Sequence, residues 1–439
     1  MSEALPCCSS APLSKRCEPL RPVRGMRDLI GTEGIHFEYV IDTLRTVARS
    51  HGFSPVELPI VEFTSLFARG LGEETDVVGK EMFTFLDRSG QSISLRPEGT
   101  ASAVRAFLTA KLTQSLPQKW FYWGPMFRYD RPQKGRYRQF TQFGLETLGA
   151  SSPLSDIEMI ACCDEAIRKL GIRSATLSIN SLGDAESRAA YKGALVDALS
   201  RYEHELSEDS QRRLHTNPLR VLDSKDPTDQ KLTQDAPSLS DFLTPSSREF
   251  FDKVQEGLTR LGIPYEIDPR LVRGLDYYDH TTFEIKALLD DKETPLALLG
   301  GGRYNGLVQQ LGGPAVPAVG VGFGVDRLLL LANKPETPSS VGVLFAEEAD
   351  IFEAWDIARE LRSSFSIVFP TEGNLSKRLR FANKSGAVCA LILGDSERQK
   401  GVIRCKSLAP LPSLEEGREV DVPRDQLHSF LNKLLRRAL

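Results

Sequence analysis

Residues 120–149 read WFYWGPMFRYDRPQKGRYRQFTQFGLETLG, two apolar segments joined by a dense basic loop. Pro132 and Gly135 favour a turn in this loop, so the flanking segments are predicted to be a strand and its returning partner. Between Arg128 and Arg138 the loop carries five cations against the single anion Asp130. Such a hairpin would hold guanidinium groups at the lip of a sheet, where they suit phosphate oxygens.

The composition of this hairpin leaves two interpretations open. One is a solvated basic surface, because runs of charge usually face water. The other is a ligand site, which two features favour. Arg128 directly follows the apolar GPMF, and Gln142 and Glu146 recur at even spacing on the return strand. Even spacing places both polar side chains on one face of a strand, close to buried sheet.

The chain has 439 residues, which predicts two or three domains, each with its own core. Its apolar content of 41% and charged content of 26% are those of a soluble globular protein. The formal net charge of −4 argues against a chain coated with nucleic acid, so RNA contacts would come from local patches.

Seven cysteines, with two adjacent pairs and no CxxC, fit neither a disulfide framework nor the usual zinc spacing. We therefore expect no dedicated metal site and a reducing, cytoplasmic setting. No apolar run approaches the length of a membrane span, and no signal-peptide core is apparent, so we expect no membrane association. Residues 1–20 are rich in Ser, Pro and Cys and are predicted to form a loose extension.

Apolar spacing predicts a helix over residues 35–51, and a strand follows that contains Pro59 and so suits an edge or an interface. In SLRPEGT, Glu98 either caps the first turn of a helix or faces a pocket, and the sequence leaves both open. Residues from about 184 to 261 are polar and helical in pattern, which predicts an inserted helical region.

Two later segments contain candidate ligand-binding arginines. Arg273 precedes Gly274, which allows close backbone approach, although these residues taken alone favour an ordinary turn with a surface arginine. The glycines at 300–302 form only a weak signal, because they lack the common nucleotide-loop spacing. Arg327 begins a helix, where a cation opposes the helix dipole, so its position indicates an anionic ligand.

The segment NKPETPSS, residues 333–340, is the best linker in the chain. Beyond it strands alternate with helices, which predicts a small α/β domain over 341–439. One helix there gathers cations that form either an RNA-facing surface or a solvated face. These cations are Lys377, Arg378, Arg380 and Lys384.

Taken in order, these segments resemble histidyl-tRNA synthetase, a class II aminoacyl-tRNA synthetase. The resemblance runs from about Arg21 to the C-terminus, and its RGLDYY and GGRY elements are particular to the histidine enzyme and its relatives. The matching segments are RGMRD, LPIVE, SLRPEGT, GPMFRYDRPQKGRYRQFTQFGLE, NPLRVLDSK, RLVRGLDYY, GGRYNGL and GFGVDRL.

The resemblance implies an α+β catalytic domain over residues 21–333, built on an antiparallel sheet flanked by helices, with the mostly helical insertion around 184–261. Residues 334–340 would be the linker, and 341–439 an α/β anticodon-binding domain. The family also implies a homodimer formed through the first helix and the Pro59 strand.

The implied activity is that of a histidine–tRNA ligase. Histidine and ATP, with Mg²⁺ bound through the ATP phosphates, would give histidyl-adenylate and pyrophosphate, and the histidyl group would then pass to the 3′ end of the cognate tRNA. Arg128 and Arg327 would bind ATP, while Arg273 would stabilise charge near the reacting carboxylate and the α-phosphate.

The resemblance also assigns the other substrates. Glu98, Thr100 and Gln142 match residues that hold the α-amino group of histidine. Glu146 and Tyr278 match those that contact the imidazole, with Tyr277 beside them. A carboxylate and a phenol suit the two distinct imidazole nitrogens. The tRNA acceptor end would contact Arg131, Gln133, Lys134 and Arg136.

This sequence departs from the family pattern at Tyr129 and Asp130, where a His-Glu pair is frequent, and at Asn305, where Asp is common. None of these positions is predicted to be catalytic. The main alternative is a catalytically silent paralogue that binds histidine and regulates a histidine-biosynthetic enzyme. Such paralogues typically lack the C-terminal domain and the RGLDYY arginine, whereas this chain retains both.

Overall fold

The computed structural model describes residues 20–72, 75–222, 224, 226–289, 295–335, 339–411, 414–415 and 417–435. The chain divides into two compact units after Pro335. The predicted N-terminal extension lies outside the described residues except for Leu20, as does the centre of the predicted linker, residues 336–338. The domain bounds themselves stay a prediction.

The first unit contains one large sheet, one small sheet and the helices that cover them. Its helices are α1 (Thr32–Ser50), α2 (Thr64–Leu71), α3 (Thr100–Thr109), α4 (Pro153–Lys169), α5 (Ala185–Leu199), α6 (Glu208–Thr216), α7 (Pro227–Leu232), α8 (Pro245–Arg260), α9 (Leu307–Gln310) and α10 (Val325–Leu328). Its strands are β1 (Ser54–Pro55), β2 (Val61–Phe63), β3 (Thr84–Leu86), β4 (Ser92–Leu95), β5 (Gln118–Phe127), β6 (Gln139–Leu148), β7 (Ala175–Ser181), β8 (Glu266–Ile267), β9 (Asp279–Ala287), β10 (Leu296–Arg303) and β11 (Ala318–Gly324).

The large sheet has the strand order β1-β5-β6-β11-β10-β9-β7-β8. Its six central strands are antiparallel, and only the short edge strands β1 and β8 pair in parallel. The predicted hairpin is confirmed, since β5 and β6 pair without a bulge from Gln118↔Leu148 to Phe127↔Gln139. The expected antiparallel sheet flanked by helices is therefore confirmed. The small sheet has the order β2-β4-β3.

The two faces of the large sheet differ in chemistry, because side chains alternate along each strand. On β6, Phe143 and Leu145 point into an apolar core shared with α1, α4 and α8. The alternate residues of the same strand, Gln142, Gly144 and Glu146, face the other side of the sheet. This second face is polar and glycine-rich, so it leaves room for ligands.

The predicted strand through Pro59 is wrong. Strand β1 ends at Pro55 and β2 begins only at Val61. Proline has no N–H to donate to a ladder, and here the carbonyls of Leu58 and Pro59 accept hydrogen bonds from Arg96 Nη1 instead, at 2.9 and 3.4 Å. A buried arginine thus ties down the segment in place of a strand partner.

The described residues between β7 and β8 form helices and short 3-10 turns, with no strand. Helix α8, however, packs against α4 and places Phe251, Val254 and Leu258 in the core beneath the large sheet. Helix α8 therefore belongs to the cover of the large sheet, although it falls within the range of about 184–261 predicted for the insertion.

The second unit is a five-stranded sheet with the order β13-β12-β14-β15-β16, in which β12, β13 and β14 are parallel and the other pairings antiparallel. Its predicted alternation of strands and helices is confirmed. The strands are β12 (Ser340–Phe345), β13 (Ser366–Val368), β14 (Ala387–Leu393), β15 (Val402–Ser407) and β16 (Glu419–Pro423). The helices are α11 (Ile351–Leu361), α12 (Leu375–Lys384), α13 (Asp395–Lys400) and α14 (Leu427–Leu435).

The basic helix of this unit is α12, and its four cations do not form one surface. Arg378 is buried, stacks 3.5 Å from the Phe345 ring centroid and donates to the Phe345 carbonyl at 2.8 Å. The prediction that Arg378 belongs to an exposed basic face is therefore wrong. Lys377, Arg380 and Lys384 are exposed.

Candidate active site

The polar face of the large sheet collects side chains from seven parts of the first unit. They come from β5, β6, the start of α3, the loop that leads into β9, β9 itself, the end of β10 and the start of α10. Most of the residues predicted from the sequence lie here, and their contacts define three neighbouring regions.

Glu146 is the most enclosed group of the first region, with no exposed surface. Its Oε1 accepts hydrogen bonds from Thr100 Oγ1 at 2.8 Å and Tyr122 Oη at 2.9 Å, and its Oε2 accepts one from Tyr304 Oη. Burial raises the pKa of Glu146 to about 8. The carboxyl is thus poised to take up or release a proton near neutral pH.

Tyr122 and Tyr304 are not among the residues predicted from the sequence. Tyr122 lies on β5 opposite Gly144, on the same face as Glu146. The β5–β6 pairing register alone is enough to place Tyr122 on this face. Tyr304 ends the GGRY element, and only the fold brings it to Glu146.

Glycines make the space that these side chains occupy. A Cβ at Gly320 would collide with the Glu146 carboxylate, and one at Gly144 would collide with the Tyr122 ring. A Cβ at Gly322 would likewise meet the Gln142 amide. Glycines on the polar face of β6 and β11 therefore set the depth of the site.

Glu98 stands at the N-terminus of α3 and accepts hydrogen bonds from the backbone N–H of Thr100 at 2.6 Å and of Ala101 at 2.8 Å. The structure thus shows the helix-capping role. The carboxylate is also buried, and burial raises its pKa. Glu98 raises the pKa of Glu146 through its charge, so two acidic groups share this pocket.

Gln142 contributes an unsatisfied acceptor to the same pocket. Its side-chain Oε1 is buried and has no hydrogen-bond partner among the described residues. Buried polar atoms are normally paired, so an orphaned acceptor indicates a missing donor. A ligand N–H would supply it.

Tyr277 and Tyr278 close this first region. Both are buried, and their ring centroids lie 4.5 Å apart. Tyr277 also contacts Tyr304 edge to face at 5.6 Å, which joins the pair to the wall around Glu146. Burial raises the pKa of Tyr278, which keeps its hydroxyl protonated as a donor.

Arg273 forms the second region. Its Nη1 lies 2.9 Å from Glu284 Oε1, and Lys286 Nζ lies 3.0 Å from the other oxygen of the same carboxylate. Burial disfavours the charged guanidinium, but the neighbouring Tyr278 and Glu284 raise the pKa of Arg273 overall. Its Nε is buried without a partner among the described residues, so one donor is free for a ligand. Glu284 is not predicted from the sequence, although it faces Gly300 on the adjoining strand.

Arg128 and Arg327 form the third region. Arg128 follows β5 and donates from Nε to the Pro97 carbonyl at 2.9 Å. Arg327 donates from Nη1 to the Ala297 carbonyl at 2.7 Å and from Nε to the Gly135 carbonyl at 3.3 Å. Burial, with added repulsion from Arg136 and Arg128, lowers the pKa of Arg327 to about 10. An anion bound here would relieve that repulsion.

The basic loop between β5 and β6 is partly neutralised. Arg136 Nη1 lies 3.2 Å from Asp130 Oδ2, so that pair offsets one positive charge. The side chains at the tip are exposed and include three of the residues predicted to contact tRNA, which are Arg131, Gln133 and Lys134.

The three departures from the family pattern have ordinary structural roles. The Arg138 guanidinium carbon lies 3.6 Å from the centroid of the Tyr129 ring. Asp130 pairs with Arg136. Asn305 accepts hydrogen bonds from Arg303 Nη1 and from the Ala318 N–H, both at 3.3 Å.

Within the described residues, no three or more His, Cys, Asp or Glu side chains are grouped so that they could hold a metal ion. Nor does any helix in that part of the chain have the length and apolar character needed to cross a membrane.

Comparison with known proteins points to a single family. The profile of the family described as histidyl-tRNA synthetase matches residues 25–328. The histidine–tRNA ligase of Gluconobacter oxydans is 48% identical over 407 residues, covering 92% of this chain and 96% of the relative. That of Rhodospirillum rubrum is 47% identical over 420 residues, covering 95% and 99%. The apo histidyl-tRNA synthetase of S. aureus superposes with a TM-score of 0.77 at 31% identity, covering 94% of this chain and 99% of that structure.

Proposed function

This chain belongs to the histidyl-tRNA synthetase family, and we propose that the polar face of its large sheet is where histidine, ATP and the tRNA end meet. The protein is a histidine–tRNA ligase, a class II aminoacyl-tRNA synthetase. In the first step, a histidine carboxylate oxygen attacks the α-phosphorus of ATP, the bond to the β-phosphate breaks and pyrophosphate leaves. In the second, the terminal ribose hydroxyl of tRNA attacks the acyl carbon and AMP leaves.

The first region is proposed to bind histidine. The α-ammonium group would donate to the unpaired Oε1 of Gln142 and to the Glu98 carboxylate. Thr100 lies beside them and bonds both Glu98, through its N–H, and Glu146, through its hydroxyl. Glu146 and the Tyr278 hydroxyl are an acceptor and a donor for the two imidazole nitrogens, and Tyr277 packs beside them. An analogue without those nitrogens would lose the hydrogen bonds proposed to Glu146 and Tyr278, which provides selectivity.

The two arginine regions are proposed to bind ATP and to stabilise the transition state. Arg128 would hold the α-phosphate and Arg327 the γ-phosphate end, while Arg273 lies toward the reacting carboxylate. Positioning and charge stabilisation of this kind supply most of the catalysis in phosphoryl-type transfers. Mg²⁺ would enter with ATP and neutralise phosphate charge.

The exposed tip of the basic loop is proposed to receive the tRNA acceptor end through Arg131, Gln133, Lys134 and Arg136. A homodimer is also proposed. Apolar side chains stay exposed on the small sheet, where a second copy could cover them. These are Val61, Phe63, Phe85 and Leu86. A reducing, cytoplasmic compartment is supported by free, buried cysteines at 162, 163, 389 and 405.

The observation that carries this proposal is the enclosure of Glu146, an ionisable carboxyl, on the same sheet face where Arg128, Arg273 and Arg327 gather. We expect the purified chain to incorporate labelled pyrophosphate into ATP only when histidine is present. The measurement is pyrophosphate exchange with histidine, with each other proteinogenic amino acid, and with none.

The same assay separates the ligase from a silent regulatory paralogue. A well-folded protein that binds histidine but shows no exchange would contradict the ligase function and support the paralogue. Exchange supported equally by several amino acids would instead overturn the proposed role of the first region.

A further inference from the structure

The loop that contains Arg273, residues 271–278, has no regular secondary structure and few backbone hydrogen bonds. Its start is held where Asn180 Nδ2 donates to the Leu271 carbonyl at 3.2 Å. In its middle, the Asp276 N–H reaches the Leu71 carbonyl only at 3.5 Å. The backbone alone therefore fixes this loop weakly, although Arg273, Tyr277 and Tyr278 all lie on it.

Side chains from the helical insertion hold the loop at its middle and its end. Asn217 Nδ2 donates to Asp276 Oδ1 at 2.8 Å. Arg220 donates to the same oxygen from Nε and Nη2, both at 3.3 Å, and from Nη2 to the Gly274 carbonyl. Arg188 Nη1, on α5, donates to the Tyr278 carbonyl at 2.6 Å.

Arg220 makes most of these hydrogen bonds to the loop. Its side chain is only 14% exposed, and it bonds residues on both sides of Leu275. A guanidinium can do this because its donors form a rigid planar fork, which a lysine ammonium lacks. Gly274 directly follows Arg273, so a shift at its carbonyl would displace the Arg273 guanidinium from Glu284.

The insertion and the loop are also separated by a cavity of about 420 Å³, lined on one side by Arg188, Lys192 and Arg220 and on the other by Val272, Arg273 and Tyr278. Apolar contact between the two exists, since Val272, Tyr277 and Tyr278 share a core cluster with Tyr191 and Leu195 of α5. Leu275 of the loop and Leu219 of the insertion pack against the same cluster, and the polar contacts of Arg220 add directional hydrogen bonds to this apolar packing.

We propose that the helical insertion positions the catalytic loop, and that Arg220 is the positioning residue through which it does so. Arg220 touches no substrate in this scheme; it acts through Gly274 and Asp276 on Arg273. The inference rests on the catalytic role proposed above for Arg273. It gives the insertion a direct influence on adenylate formation, before any tRNA is bound.

The test compares Arg220→Gln with Arg212→Gln in the full-length protein. Arg212 lies in the same insertion, is exposed and pairs only with Asp209 among the described residues, so it is a matched control. We expect Arg220→Gln to increase hydrogen–deuterium exchange in residues 271–278 about tenfold, with α4 and α8 unchanged. In pyrophosphate exchange its kcat should fall about 10- to 100-fold with little change in the KM for histidine, as for a small misplacement of a catalytic group.

A double-mutant cycle sharpens the result. If Arg220 acts through Asp276, the double variant Arg220→Gln/Asp276→Ala should lose little more kcat than either single variant. Additive losses would contradict the proposed route. Asp276→Ala also removes the acceptor oxygen without altering the insertion, so it tests the route even if Arg220→Gln loosens the insertion itself.

Failure of this inference is distinguishable from failure of the proposed function. An inactive wild-type protein would contradict the function, whereas the hydrogen–deuterium exchange of the loop would still report on positioning. Loop protection that is equal in Arg220→Gln, Arg212→Gln and wild type would overturn the role of Arg220, however active the enzyme is.

Discussion

Replacing Arg273 by histidine should reduce the kcat of histidine-dependent pyrophosphate exchange by about 10²- to 10³-fold, the cost typical of removing one donor to a developing charge. Arg273 is half-buried, and its buried Nε has no partner among the described residues, so it is placed to donate to a ligand. Histidine affinity should change only a few-fold, because Glu98, Gln142 and Glu146 remain. The measurements are steady-state exchange kinetics and calorimetric titration with histidine.

The substitution leaves the Glu284 carboxylate paired with Lys286, so we expect no general folding defect from an unpaired charge. Lys286 stays 3.0 Å from the Glu284 carboxylate when Arg273 is removed, so that buried acid keeps a cation. Arg270→His is the matched control, since Arg270 lies three residues away and is exposed. Unchanged kcat in Arg273→His, or an equal loss in Arg270→His, would remove the catalytic role assigned to Arg273.

At pH 9, where the Glu146 carboxyl is ionised, Glu146→Gln should raise the KM for histidine about 10- to 150-fold and leave the KM for ATP nearly unchanged. The substitution is isosteric, but it removes the charged acceptor proposed for the imidazole, and a hydrogen bond to a charged group contributes about 1.5–3 kcal/mol. The effect should also depend on pH. Because the pKa of Glu146 is about 8, raising the pH from 7 to 9 ionises the carboxyl in the wild type. The advantage of wild type over the variant should therefore widen across that range.

Glu158→Gln is the control for this comparison, since Glu158 is a more exposed carboxylate that pairs with Lys119 at 2.7 Å. Titration of histidine itself affects wild type and both variants alike and cancels in the ratio. A KM ratio that stays flat or narrows between pH 7 and 9 would show that Glu146 is not the group that contacts the imidazole.

The sequence predicted the framework of this site well because strand periodicity is a local property. Even spacing placed Gln142 and Glu146 on one face, and the structure confirms that both occupy the polar side of β6. The hairpin was similarly local, set by Pro132 and Gly135. The residue roles within the site came instead from motif resemblance and stay proposals.

Other features depended on partners that are distant in the chain. Tyr304 reaches Glu146 across 158 residues. Arg273 and Glu284 are only 11 residues apart, but an irregular loop precedes β9, so strand periodicity does not reveal their contact. The periodicity of a strand predicts which face a side chain is on, but it does not predict which residue of another element lies next to that side chain. The two wrong predictions, the strand through Pro59 and the exposed Arg378, have the same origin. The Pro59 carbonyl bonds Arg96 and no strand partner. Arg378 is buried because it stacks on the ring of Phe345.

Histidine and ATP are proposed to bind side by side on one face of the large sheet. A crystal structure of the protein with histidine and a non-hydrolysable ATP analogue would show whether they do. We expect the imidazole within hydrogen-bonding distance of Glu146, the ammonium group against Gln142 and Glu98, and the analogue's phosphates between Arg128 and Arg327. Histidine bound elsewhere, or phosphates that contact neither arginine, would overturn the proposed arrangement.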